Sequence, residues 1–163
     1  MGETSTHRVL AHPLTAYRIG DPTGSYPIWD STGSAMNPGR WHRSGEHVIY
    51  AAEHYSTAML EKLVHFSGTL PPNQHYIQIT IPAGTPYAQL DAHSLPGWNS
   101  KDASTARAFG SQWIGACREA VLIVPSVVAP MENNVLINPR HTRFSTITLS
   151  NEIRVHWDER LFG

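Results

Sequence analysis

A chain of 163 residues, 40% of them hydrophobic, is long enough to close one buried core and too short for several. Its formal charge of -1 and pI near 6.8, with no lysine or arginine stripe, disfavour a nucleic-acid backbone as partner. Cys117 is the only cysteine, which excludes an internal disulfide framework or thiolate cage, and residues 1–7 carry neither a basic start nor an apolar run, so a soluble cytoplasmic protein without membrane contact is expected.

Residues 1–8 are polar and small and read as a loose tail, leaving residues 9–163 as the single domain. Residues 9–19 enter the fold. A long loop follows over residues 20–40, rich in glycine and proline, and its unusual length raises the expectation that it shapes a site. A short strand is expected over residues 48–52. From 55 to 66, Tyr55, Met59, Leu63 and Phe66 recur at helical spacing until Ser67-Gly68 stops the pattern. Ile77, Ile79 and Ile81 alternate with polar neighbours up to Pro82, the period of a half-buried strand. A second helix is expected over residues 104–117, although Gly110 and Gly115 interrupt its apolar face. Strands follow at 120–124 and 135–137, and segments 146–149 and 153–157 flank Ser150-Asn151 as a hairpin would. The mixture predicts an α+β domain with a strand-rich core and a few short helices.

Several side chains could carry chemistry. Gly39-Arg40-Trp41 closes the long loop, where glycine lets the backbone pass near a ligand and arginine offers a planar fork suited to a diphosphate. By spacing alone Arg40 reads more readily as a surface residue whose stem covers Trp41, itself a core candidate. Tyr50, inside a strand, offers a ring face and a hydroxyl, yet tyrosine is ordinary there. Glu61 lies off the main apolar stripe of its helix, with Leu60 and Val64 alongside. In a partly dry site its carboxylate would stabilise a developing positive charge far better than in water. The ten histidines include no His-Glu-x-x-His pair, so no metal is expected, and no Gly-x-Ser-x-Gly elbow supports a serine hydrolase.

Taken in order, Gly39-Arg40-Trp41, Tyr50-Ala51-Ala52, Ala58 and Glu61, Val124-Pro125-Ser126, and the run from Glu132-Asn133-Asn134 to Pro139-Arg140-His141 resemble the RES-domain family, named for its Arg, Glu and Ser. The resemblance spans nearly the whole chain, from Tyr17-Arg18 to Leu161-Phe162. One departure is His42, where the family usually has asparagine, and this is expected to tune the loop. The resemblance implies a bacterial toxin with a fold similar to ADP-ribosyltransferases such as the diphtheria toxin catalytic domain. It also implies an Xre-type helix-turn-helix antitoxin as partner in a hetero-oligomer. Members consume NAD, by hydrolysis, by phosphorolysis or by passing ADP-ribose to a protein.

Carried over position by position, the resemblance makes Arg40, Tyr50 and Glu61 catalytic, and Arg18, Gly39, Arg40, Tyr50 and Ser126 NAD-binding. Tyr50 would stack on the nicotinamide, the two arginines would hold the diphosphate, and Ser126 would hydrogen-bond the ligand. Glu61 would face the positive charge left on the ribose as nicotinamide departs. NAD is then a consumed substrate and no cofactor is expected, in keeping with the lack of a Gly-x-Gly-x-x-Gly fingerprint.

Overall fold

The computed structural model describes residues 4–163. Among the described residues nine strands form one sheet: β1 (Ser5–Val9), β2 (Leu14–Gly20), β3 (Ile49–Ala52), β4 (His75–Ile81), β5 (Pro86–Leu90), β6 (Val121–Pro125), β7 (Asn133–Ile137), β8 (Thr148–Leu149) and β9 (Ile153–Arg154). Three α-helices accompany them: α1 (Thr32–Met36), α2 (Tyr55–His65) and α3 (Ser104–Ala116). The strand order is β1-β5-β6-β7-β3-β2-β4-β8, with β9 also on β4. Among the described strands only β5 and β6 pair in parallel. The expected α+β architecture is present.

All five β6 residues are buried, because this strand lies between β5 and β7 with both faces covered. Alternation sends Val121 and Ile123 into one apolar cluster and Leu122 and Val124 into another. Ile77, Ile79 and Ile81 of β4 share the first cluster although four strand steps separate β4 from β6, so the sheet curls around that core. Burying each such side chain stabilises the fold by about 1.5–3 kcal/mol. The opposite face receives α3, through Ala106, Trp113 and Ile114, and also Trp41. A third cluster joins Ala58 of α2 to Ile19, Ala52 and Val155.

Four local expectations change. The tail expected over residues 1–8 is a strand from Ser5 onward, paired residue by residue with β5, since ladder hydrogen bonds need no apolar side chains; residues 1–3 lie outside the described residues. The hairpin around Ser150-Asn151 does not form: β8 and β9 run in the same direction, one after the other, along β4. At the interruption the Ser150 backbone N–H donates to the Gln78 carbonyl and its hydroxyl accepts from the Gln78 N–H, so Ser150 continues the ladder instead of turning it. Helix α1 lies within the 20–40 loop and buries no residue, so it leaves no apolar period to detect. Strand β5, with a proline at its first position, escapes detection too.

Gly110, which weakens the helical pattern of α3, has a packing reason: a Cβ there would overlap the backbone carbonyl of Trp41. The helix and the end of the long loop meet main chain to side-chain-free main chain. On α2 the buried positions are Thr57 and Ala58, while Leu60 and Val64 are exposed. Small residues let the helix approach β2 and β3 closely, and Glu61, one turn beyond Thr57 and Ala58, therefore points toward the sheet.

Candidate active site

Where α2 leans on β2 and β3, an inner pocket of about 140 Å³ opens, lined among others by Arg18, Tyr50, Glu61, Lys62 and Asn134. It is continuous with a wider cleft of about 900 Å³ that shares those five residues and adds Gly39 and Arg40. That volume lies in the range of small-molecule and cofactor sites.

Glu61 is the best-braced group in the site. Its Oε1 accepts from Ser126 Oγ and from Asn134 Nδ2, each at 2.8 Å, while Oε2 has no hydrogen-bond partner among the described residues. Residues 65 and 73 positions away in sequence thus hold one carboxylate oxygen of a helix residue that lines the cleft. Ser126 itself is fully buried and lines neither cavity, and its hydroxyl also accepts from the Ala129 N–H. The expectation of a direct serine–ligand hydrogen bond is corrected accordingly: its single proton is spent on Glu61, and the residue stands behind the carboxylate. Ser126→Ala would leave Oε1 and the Ala129 N–H each short of a partner, so we expect a stability loss of about 1–3 kcal/mol in chemical denaturation. An unchanged midpoint would refute that brace.

Tyr50 is half-buried, and its ring belongs to the cluster under α3. Its hydroxyl accepts from the Trp41 N–H at 3.2 Å and lies 2.7 Å from His42 Nδ1. His42 is 2% exposed, and its Nε2 faces the carbonyls of Ser34 and Asn37 at 2.6 and 2.9 Å. Carbonyls only accept, so Nε2 carries the proton and Nδ1 takes the tyrosine hydrogen. Burial pushes the Tyr50 phenol well above its usual range, and the group stays neutral. Gly39 is required here because a Cβ would come within 2.7 Å of that hydroxyl. Tyr50 and His42 together fasten the end of the long loop to β3.

Both arginines are partly committed to main chain. Arg18 donates from Nε to the Ile28 carbonyl at 2.6 Å and from Nη1 to the Tyr50 carbonyl at 2.7 Å, leaving Nη2 free. Burial lowers its pKa to about 10, opposed by the Asp30 charge, so it remains cationic at neutral pH. Arg40 donates through Nη1 to the carbonyls of Trp98 and Ser100 at 3.0 and 2.8 Å, and it lines only the wider cleft. Trp41 is 2% exposed and packs on Trp98 and Phe109, as a core residue.

The site therefore separates into an inner group, Arg18, Tyr50 and Glu61, an outer group, Gly39 and Arg40, and a support, Ser126. Three contributors lie beyond the expected set. Asn134 was detectable as a polar residue next to the apolar run of β7, and its Oδ1 is buried without a partner. Lys62 gave no sequence signal. Arg107, whose Nε donates to the Gly39 carbonyl at 2.9 Å, is recognisable only once α3 is placed. Among the described residues, no group of three or more His, Cys, Asp or Glu could hold a metal ion. No helix among the described residues is long and apolar enough to cross a membrane.

Comparison with known proteins places this geometry in context. The RES domain family matches residues 15–158. The "Prs ADP-ribosylating toxin" of Sphingobium sp. (strain YBL2) is 38% identical over 132 residues, covering 77% of this chain and 82% of that protein. A protein named "Toxin Res" from Pseudomonas putida (strain KT2440) is 35% identical over 141 residues, covering 85% of this chain and 95% of its own. Among solved structures, the MbcT-MbcA toxin-antitoxin complex of M. tuberculosis contains a chain that superposes with a TM-score of 0.70 at 15% identity. The match covers 90% of this chain and 86% of that one, a likeness of fold.

Proposed function

The chain belongs to the RES domain family, and on that premise we propose that it is the toxin of a bacterial toxin-antitoxin pair and cleaves the nicotinamide-ribose bond of NAD. One observation carries the reading: a carboxylate braced on one oxygen and free on the other, in a cleft that also holds an aromatic ring and two arginines. Breaking the bond sends the electron pair out with nicotinamide and leaves positive charge on the ribose, where Glu61 Oε2 stabilises it. The Tyr50 ring supplies a stacking face. The free donors of Arg18 and Arg40 suit the diphosphate. Water or phosphate then attacks the ribose carbon to complete the exchange. Purified full chain incubated with NAD is expected to release nicotinamide, with ADP-ribose as co-product if water attacks and its phosphorylated form if phosphate does. NAD that persists over hours, though bound, would favour a pure binding module.

A second reading, transfer of ADP-ribose to a protein by the same site, is favoured by the name of the Sphingobium relative, an ADP-ribosylating toxin. Label passing from NAD to a lysate protein, in place of stoichiometric free ADP-ribose, would select it. For the partner we propose an Xre-type helix-turn-helix antitoxin whose chain covers the cleft in the cytoplasm. The exposed Val64 and Val127 at the cleft lining offer an apolar rim for it. Nicotinamide release is expected to fall at least tenfold in the co-purified complex; a complex as active as the free chain would sink the occlusion.

A further inference from the structure

Lys62 has no part in the family pattern quoted above, yet it lines both the inner pocket and the wider cleft. It is half-buried on α2, and among the described residues its ammonium makes no hydrogen bond and has no carboxylate within 4.0 Å. Such a cation is costly to hold partly out of water without a counter-charge. Beside it, Arg18 has its guanidinium fixed by two carbonyls, with Nη2 left over. Among the described residues Glu61 is the only carboxylate lining either cavity, and its Oε1 is already taken by Ser126 and Asn134. The pocket thus presents two cations against one carboxylate. The remaining Nη2 of the fixed guanidinium and the ammonium of Lys62 are donor types that recur in phosphate recognition.

We propose that Lys62 and Arg18 form an oxyanion subsite in the inner pocket that takes a phosphate group next to Glu61. The group comes either from the dinucleotide's own diphosphate or from free phosphate. The proposal rests on the reading of the cleft as an NAD site, and it deepens that reading by assigning the anion to a residue outside the expected set. Burial, and after it the charge of Arg18, holds the Lys62 amine below its usual range. That is the signature of a cation lacking a partner, and a bound oxyanion reverses it by stabilising the charged form. Lys62 adjoins Glu61 in sequence, so the anion and the reacting carboxylate are addressed by the same turn of α2.

Isothermal titration of the purified full chain with inorganic pyrophosphate, and separately with inorganic phosphate, tests the subsite without any turnover. Binding of at least one anion is expected, weakened about tenfold or more in Lys62→Met and retained within a few-fold in Lys62→Arg. Lys62→Met keeps the apolar stem, and Lys62→Gln serves as a second neutral variant should the first fold poorly. NAD kinetics then identify the source. If the diphosphate occupies the subsite, KM for NAD rises more than kcat falls; if free phosphate does, the phosphate-dependent part of nicotinamide release disappears. Equal anion binding by the parent and both neutral variants, or no anion binding by the parent, overturns the subsite. Lys62-dependent pyrophosphate binding in a chain that never consumes NAD would keep the subsite and reject the NAD reading. NAD consumption indifferent to Lys62 would do the reverse.

Discussion

Glu61→Gln is expected to lower nicotinamide release by about 10²–10³-fold while leaving the fold intact. The amide keeps an oxygen where Oε1 accepts from Ser126 and Asn134, so the brace survives. What is lost is the negative charge on the oxygen with no partner, and that charge acts only as the ribose becomes positive. Under the proposed assignment of NAD binding to the arginines and Tyr50, affinity for NAD is expected to change much less than the rate. Nicotinamide assays on parent and variant, with a melting curve for each, check both halves. Turnover at the parental rate would remove Glu61 from the chemistry. Equal loss of rate and melting temperature would instead make it a structural residue.

The second large effect concerns stability. Gly110→Ala adds a Cβ into the space of the Trp41 backbone carbonyl, where the obstacle is main chain on a buried loop and cannot swing aside. Alanine ordinarily gains about 1 kcal/mol over glycine inside a helix. Overpacking costs about 1–3 kcal/mol, and more where backbone must shift. The clash wins, and we expect a net loss of about 2 kcal/mol, or about 4–8 °C in Tm for a domain of this size. Because Trp41 follows Gly39 and Arg40, the displaced loop should also weaken activity. A Tm at or above the parental value would show that α3 can move off Trp41 freely.

The family resemblance was legible because its motifs are local. Each is a few residues long, and their order survives without knowledge of the fold. Helix α2 was legible from the recurrence of Tyr55, Met59 and Leu63, and β4 from alternating isoleucines. The same periodicity found residues that pack, since Tyr55 and Met59 join the third cluster, but not the most buried positions of α2. It weights bulk, whereas the helix approaches the sheet through Thr57 and Ala58. It also took segments 146–149 and 153–157 for partners of one another, since two short strands around Ser-Asn look alike whether they fold back or run on along β4.

Composition and motif order by themselves determined the class of domain and the lack of any cysteine framework, and they singled out Arg40, Tyr50 and Glu61, with Arg18 and Ser126, as site candidates. Tertiary structure decided what each member touches. Register places Asn134 opposite Ala52, and the turn after β6 brings Ser126 to the same carboxylate oxygen, so a serine expected at the ligand supports Glu61 instead. Hydrogen bonds and charges act over a few ångströms of space, whereas Ser126 and Asn134 are separated from Glu61 by 65 and 73 positions of chain. For that reason the free oxygen of Glu61 and the unpaired ammonium of Lys62 become visible only after the sheet has curled.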